Sequence, residues 1–248
     1  MTSKTVLDTL NQHVSIRSYT DQDIDNDTLT AILEAARRSP TSSNMQAYSF
    51  VVVRDPATKK VLAELAGGQK HIETCPVFVA CCADISRLKR ACEMHDTDLA
   101  RNTENMLVSS IDAAIAGMSL ATAAESVGLG TVMIGGIRNN PAEAAELLNL
   151  PDGAYIVYGM CLGYIEESNR PDQKPRMDSS LIIHHERYDD SDPAAQLTAY
   201  DEALSAHYRG EGRNTPDAAW TGVMASRFSS PRRPHLKNIL EKLGFSLS

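Results

Sequence analysis

Three residues near the start of the chain, His13, Ser15 and Arg17, alternate with Val14 and Ile16. On an extended segment that spacing projects all three from one face. A hydroxyl between two groups able to carry positive charge suits a phosphate or another anion; a solvated polar edge would use the same residues. Lys174-Pro175-Arg176 repeats the theme, because proline stiffens the backbone between two cations and keeps the preceding lysine extended. An exposed basic loop is its plainer reading. There are also two glycine pairs, Gly67-Gly68 before Gln69-Lys70 and Gly135-Gly136 directly after an apolar run. Each allows either a tight turn at positive φ or a close approach of bare backbone to something flat or charged. Two cation-bearing loops and two glycine pairs together describe a site for a phosphorylated planar cofactor.

The absences point the same way. No G-x-G-x-x-G follows the first strand, and the chain has no Walker loop, G-x-S-x-G or H-E-x-x-H. Its seven histidines lack metal-ligand spacing, and no nucleophile–base pair stands out, so no catalytic side chain and no metal are assigned. Chemistry falls to a bound cofactor. With 24 Lys and Arg against 32 Asp and Glu, the net charge of −8 argues against nucleic acid or an anionic membrane as partner. No apolar run is read as membrane-spanning, and the polar first twelve residues lack the apolar core of a signal peptide. Five cysteines, odd in number and without a C-x-x-C pair, read as buried free thiols and fit the cytoplasm.

The elements that must position these residues are legible from pattern. Met106 to Val127 is a helix apolar nearly all round, which calls for burial on more than one side, with Gly128 as its stop. Asp25 to Asp27 offer an N-cap for a helix over Leu29 to Arg38, and Asp55-Pro56 opens another that runs to about Ala66. A short amphipathic helix is expected over residues 3–12, a hydroxyl-rich loop over Ser39 to Asn44, and a short helix after Pro141. Strands are expected at Ser49–Arg54, Val77–Ala83, Leu129–Ile134 and Tyr155–Tyr164, the second without polar alternation and so buried on both faces. Helices at Ala194–Tyr208, Ala218–Phe228 and Leu236–Leu243 complete an α+β domain with a helical C-terminal extension. The division expected is a core over 1–190 and an extension over 191–248 packing on the same domain.

An ordered set of motifs now carries a family resemblance: His13, Ser15 and Arg17; SPTSSNMQ from Ser39 to Gln46; GGQKH from Gly67 to His71; GLGTVMIGGIRNN from Gly128 to Asn140; Cys161 to Gly163; and Lys174 to Arg176. Tyr200, Asp201 and Glu202 and the arginines after Tyr208 extend it, so that it covers roughly residues 5–245. The chain resembles the FMN-dependent nitroreductase superfamily, in the branch of NADPH-dependent oxygen-insensitive nitroreductases and NADPH–flavin oxidoreductases.

The resemblance implies a nitroreductase-like fold, a central mixed sheet flanked by helices, in an intertwined homodimer with FMN at the subunit interface. It implies that His13, Ser15, Lys174 and Arg176 hold the FMN phosphate and that Arg17 faces the flavin N1/O2 edge. Ser42, Ser43 and Gln46 would line the cofactor, in part from the other subunit, and Gln69 would bond the pyrimidine ring. Ile134, Gly135 and Gly136 would approach N5. Arg209 and Arg213 match a basic segment that would engage the 2′-phosphate of NADPH. Val14 departs from the arginine frequent in close relatives and removes one phosphate contact. The implied activity is two-electron reduction of nitroaromatics, quinones or free flavins. Alternatives are a flavin reductase serving a partner, or a flavin-binding sensor or storage protein.

Overall fold

The computed structural model describes residues 5–191 and 193–247. The chain forms two compact units, residues 1–171 with 233–248, and residues 172–232. In chain order its main elements are α1 (Val6–Asn11), α2 (Asn26–Ala36), β1 (Tyr48–Val53), α3 (Pro56–Leu65), α4 (Lys70–Thr74), β2 (Val77–Asp84), α5 (Ser86–Glu93) and α6 (Thr103–Ser126). After these come β3 (Leu129–Ile134), α7 (Pro141–Leu147), β4 (Ala154–Tyr164), α8 (Ala194–Gly210), α9 (Thr221–Phe228) and α10 (Leu236–Lys242).

The strands of the first unit lie in the order β1-β2-β4-β3, and every ladder is antiparallel. Among the described residues, the parallel character of the expected mixed sheet is confined to one bridge, from Ser15 to Thr131. β2 is buried along its whole length. Its Phe78, Ala80 and Cys82 enter a core with Leu62 and Ala63 of α3, Ile72 of α4 and Ala144 of α7. Val77, Val79 and Cys81 alternate into an opposite core with Leu29 and Ile32 of α2 and Leu120 and Ala124 of α6. A strand with a core on each face has no need of polar alternation. The expected cap at Asp25 forms, accepting from the Thr28 N–H at 2.8 Å, and Asp55 caps α3 in the same way, from the Thr58 N–H at 2.7 Å.

α6 differs from expectation in three ways. It starts at Thr103, a turn before Met106, because Asn102 and Asn105 cap one another's backbone N–H groups. At 24 residues it is long and apolar enough to cross a membrane by length and composition, which corrects the reading that no apolar run reaches that length. Here it is a core helix, with Ala113, Ala116, Leu120, Ala121 and Ala124 buried. All-round burial, however, does not hold within one chain. Leu107, Ile111, Ile115 and Met118 are between 37 % and 49 % exposed, and Val6, Leu7 and Leu10 of α1 are exposed as well.

A smaller cluster joins Leu240 and Phe245, within and just after α10, to Ala83, Ile85 and Tyr155 of the sheet region. In the second unit, the Asp201 carboxylate accepts from the N–H groups of Trp220 at 2.6 Å and Thr221 at 2.9 Å. That cap starts α9 at Thr221 rather than at Ala218.

Candidate cofactor site

Residues 13–17 run extended beside β3. The Ile16 N–H donates to the Thr131 carbonyl at 2.9 Å, and Ser15 bridges to Thr131. Ile16 is buried, His13, Val14 and Ser15 are half-buried, and Arg17 is exposed. His13 places Nδ1 2.8 Å from Oε1 of Glu125, which also accepts from the Thr131 hydroxyl at 2.6 Å. The carboxylate thereby fixes the orientation of the imidazole.

At the end of β3 the chain enters a single tight turn, Gly135–Asn139, whose N-terminus no side chain caps. The glycine pair that opens it does not lie at positive φ, whereas Gly67 and Gly68 do, at 90° and 75°. Turn geometry accounts for Gly67-Gly68, and close approach for Gly135-Gly136. A Cβ on Gly136 would stand 2.2 Å from Gln69 Nε2 and 2.5 Å from the Ala66 carbonyl oxygen. Gln69 donates to that same carbonyl at 2.9 Å, which holds its amide against the turn. A Cβ on Gly135 would meet the Arg138 guanidinium at 3.3 Å. Ile134 buries its side chain in the core, leaving only its backbone for a ligand.

One further group completes this rim. Arg233 donates to Asn139 Oδ1 at 2.9 Å and to the Gly135 carbonyl at 3.3 Å. His71, two residues past Gln69, is held below the usual imidazole range by burial and then by the charge of Arg17. Its Nε2 is buried without a hydrogen-bond partner among the described residues. A bare glycine turn with the Gln69 amide against it and the Arg233 guanidinium on its carbonyl fits a planar group with hydrogen-bonding edges.

The Ser42–Gln46 loop is built elsewhere. Ser43, Asn44 and Gln46 lie at φ 47°, 55° and 50°, the left-handed region that side chains rarely adopt. Thr41 Oγ1 accepts from the Gln46 N–H at 3.2 Å. Arg87 donates to the carbonyls of Gln46, at 2.8 Å, and Tyr48. Asp84 steadies Arg87 at 3.0 Å and accepts from the Ser49 hydroxyl and the Ser86 N–H. Burial pushes the Asp84 carboxyl up, but those hydrogen bonds and the Arg87 charge outweigh it and leave it below the usual range.

The remaining predicted cations lie on the second unit. Lys174 and Arg176 are exposed; Lys174 Nζ sits 5.3 Å from the centre of the Tyr208 ring, and the Arg213 guanidinium 5.1 Å from the same ring. Arg209 pairs with Asp217, and Arg213 with Glu211 at 3.2 Å.

Comparison with known proteins decides the family. A model described as "Nitroreductase family" matches residues 10–164, and one described as "Nitroreductase family, C-terminal domain" matches residues 174–248. The chain belongs to the nitroreductase family. It is 38 % identical to an FMN reductase [NAD(P)H] of Bacillus subtilis over 98 % of both chains. It is 37 % identical to an oxygen-insensitive NADPH nitroreductase of Salmonella typhimurium over 94 % of this chain and 95 % of that one. The solved structure of a hypothetical oxidoreductase, YcnD, from Bacillus subtilis superposes with a TM-score of 0.94 at 37 % identity, covering 98 % of both chains.

Several groups around the candidate site escape sequence reasoning. Glu125 and His13 are 112 residues apart, and Arg233 and Gly135 are 98 apart. Only the Arg-Pro step at 233–234 hints at a fixed backbone there, where Arg233 itself lies at φ 50°. Arg87, in a charged surface stretch, carries no signal at all.

Proposed function

We propose that the chain is an FMN-dependent NAD(P)H oxidoreductase that reduces nitroaromatics, quinones or free flavins by two electrons, with NADPH as donor. The chemistry supplied by bound FMN is hydride in from NADPH at N5 and hydride out to the acceptor, in ping-pong order. The observation that carries this reading is the bare glycine turn at Gly135-Gly136, with the Gln69 amide held against it. Backbone N–H groups there offer hydrogen bonds without a side chain in the way of a hydride donor. Arg17 stabilises the negative charge that reduction places on the N1/O2 edge. Gln69 bonds the pyrimidine ring, and His13, Ser15, Lys174 and Arg176 neutralise the phosphate. Arg209 and Arg213 recognise the 2′-phosphate of NADPH. Their ion pairs with Asp217 and Glu211 leave both guanidines more than half exposed, and exposed pairs contribute only about 0–1 kcal/mol, so a phosphate can displace them. No side chain is assigned as acid or base, since solvent reaches an open face.

The working form in this proposal is a homodimer. The Ser42–Gln46 loop leads into β1 and the glycine turn leaves β3, and these strands are the opposite edges of the sheet. Three strand spacings separate them, about 14 Å, more than one flavin ring system spans. A second copy brings its Ser42, Ser43 and Gln46 to the first copy's turn. The exposed row Leu107, Ile111, Ile115 and Met118 supplies the apolar contact such a pair requires. Cytoplasmic residence, without membrane or nucleic-acid partner, belongs to the same proposal, supported by the acidic charge balance. So does the functional division into a cofactor-holding core, 1–190, and an extension, 191–248.

The likeness to an FMN reductase favours a second reading, a reductase that releases free reduced flavin to a partner. Turnover on free FMN compared with turnover on a quinone separates the two. The main test is the visible spectrum of the purified protein under anaerobic NADPH. Flavin bands that bleach and return on adding a quinone or nitroaromatic support the oxidoreductase. A colourless protein that takes up no added FMN overturns it. A yellow protein that neither NADPH nor NADH bleaches points to a sensor or storage role.

A further inference from the structure

We infer that Asp112 is a positioning residue for the Ser42–Ala47 segment, a two-oxygen clamp reaching from α6; its link to catalysis rests on the reading that this loop lines FMN. The Asp112 side chain is fully buried. One of its oxygens accepts from the Ser42 N–H at 3.1 Å and the other from the Ala47 N–H at 3.1 Å. One carboxylate thus ties both ends of a loop whose interior holds three residues at positive φ. Such conformations cost free energy and persist only where the surroundings over-determine them.

The clamp acts on a specific bond. The Ala47 N–H and the Gln46 carbonyl belong to the same peptide group. Asp112 takes the first and Arg87 holds the second at 2.8 Å. A peptide plane gripped on both edges cannot rotate, so Gln46 stays in its left-handed conformation and its side chain points where the loop requires. Two N–H donors need two acceptors, which a carboxylate has and a carboxamide does not. Asparagine of the same size would turn an NH₂ group toward one backbone N–H. Asp112 also follows Ile111 on α6, the helix with the exposed apolar row, so the loop is set relative to the face offered to a second copy.

Amide hydrogen exchange on the apoprotein tests the clamp without reference to flavin. In the wild type, the Ser42 and Ala47 amides should be protected far beyond ordinary loop amides; exchange at free-loop rates overturns the clamp even if no variant folds. In Asp112→Asn, protection should fall at these two amides while β2 and β4 stay protected. Protection that persists at both sites also overturns the inference. FMN titration then reads the function: loss of a charge-assisted hydrogen bond should weaken FMN binding about tenfold. The visible circular dichroism of the flavin bound at saturation should shift as well, which a mere loss of global stability does not produce. An Asp112→Asn protein that loses protection yet binds FMN as the wild type does, with an unshifted band, removes the positioning role. Wild-type protein with both amides protected but no uptake of FMN keeps the clamp and removes the cofactor reading.

Discussion

The turn at Gly135–Asn139 and the loop at Ser42–Gln46 solve one problem in different ways. In the proposed site, each would present backbone in an unusual arrangement to the cofactor. The turn does so by omission: without a side chain at Gly136, Gln69 and the Ala66 carbonyl close up against it. The loop keeps its side chains and accepts three left-handed residues, held by Asp112, Arg87 and Thr41. The first solution is local and fails only where the glycine changes. The second is distributed, so residues far from any ligand can undo it.

That contrast can be pressed from its largest consequence downward. Gly136→Val sets a side chain against a backbone carbonyl that cannot swing aside, so the fold should lose about 3 kcal/mol by urea unfolding. An unchanged midpoint would mean that the turn is not packed as described. Asp84→Ala removes the acceptor of Ser49, Ser86 and Arg87, and should cost about 2 kcal/mol. FMN affinity should fall with it, because Arg87 then loosens its hold on Gln46. Lost stability with full FMN affinity would argue against a distributed hold on the loop.

Smaller effects sharpen the comparison. Gly135→Ala presses only on a guanidinium end that can shift by a few tenths of an ångström, so unfolding should change by about 1 kcal/mol or less. A loss as large as at Gly136 would erase the distinction between the two glycines. The last effect is in pH. Folding holds the His71 imidazole below its unfolded value of about 6.5, so at lower pH the unfolded chain takes up a proton that the folded one resists. Stability should therefore decline as pH falls through 6.5 toward the folded value, and be fully present above 6.5. His71→Gln should flatten that part of the urea-midpoint profile between pH 7.5 and 5.5; a profile identical to the wild type's would show that His71 is not depressed.

Much of the fold was legible because its causes are short-range. Asp25 and Asp55 announce their helices through bonds three residues away, and the apolar run at Val77–Ala83 announces a strand covered on both faces. The reciprocal Asn102–Asn105 cap is equally local and starts α6 a turn before its apolar run. Of the site, the Ser15–Arg17 alternation and the two glycine pairs were visible as patterns, but the reason for each pair was not. Positive φ serves Gly67-Gly68 and close packing serves Gly135-Gly136, and glycine is the same letter in both.

By itself, the sequence determined the strands, most of the helices and the cofactor-like pattern of cations and glycines, because periodicity, capping and turn chemistry act over a few residues. Tertiary structure alone decided which polar groups meet. Asp112 finds the Ser42 and Ala47 amides 70 and 65 residues away, and Glu125 finds His13 across 112. It also decided which side of α6 faces the core. A helix apolar nearly all round carries no one-dimensional mark of its inner face, and only packing against the sheet leaves Ile111, Ile115 and Met118 outward.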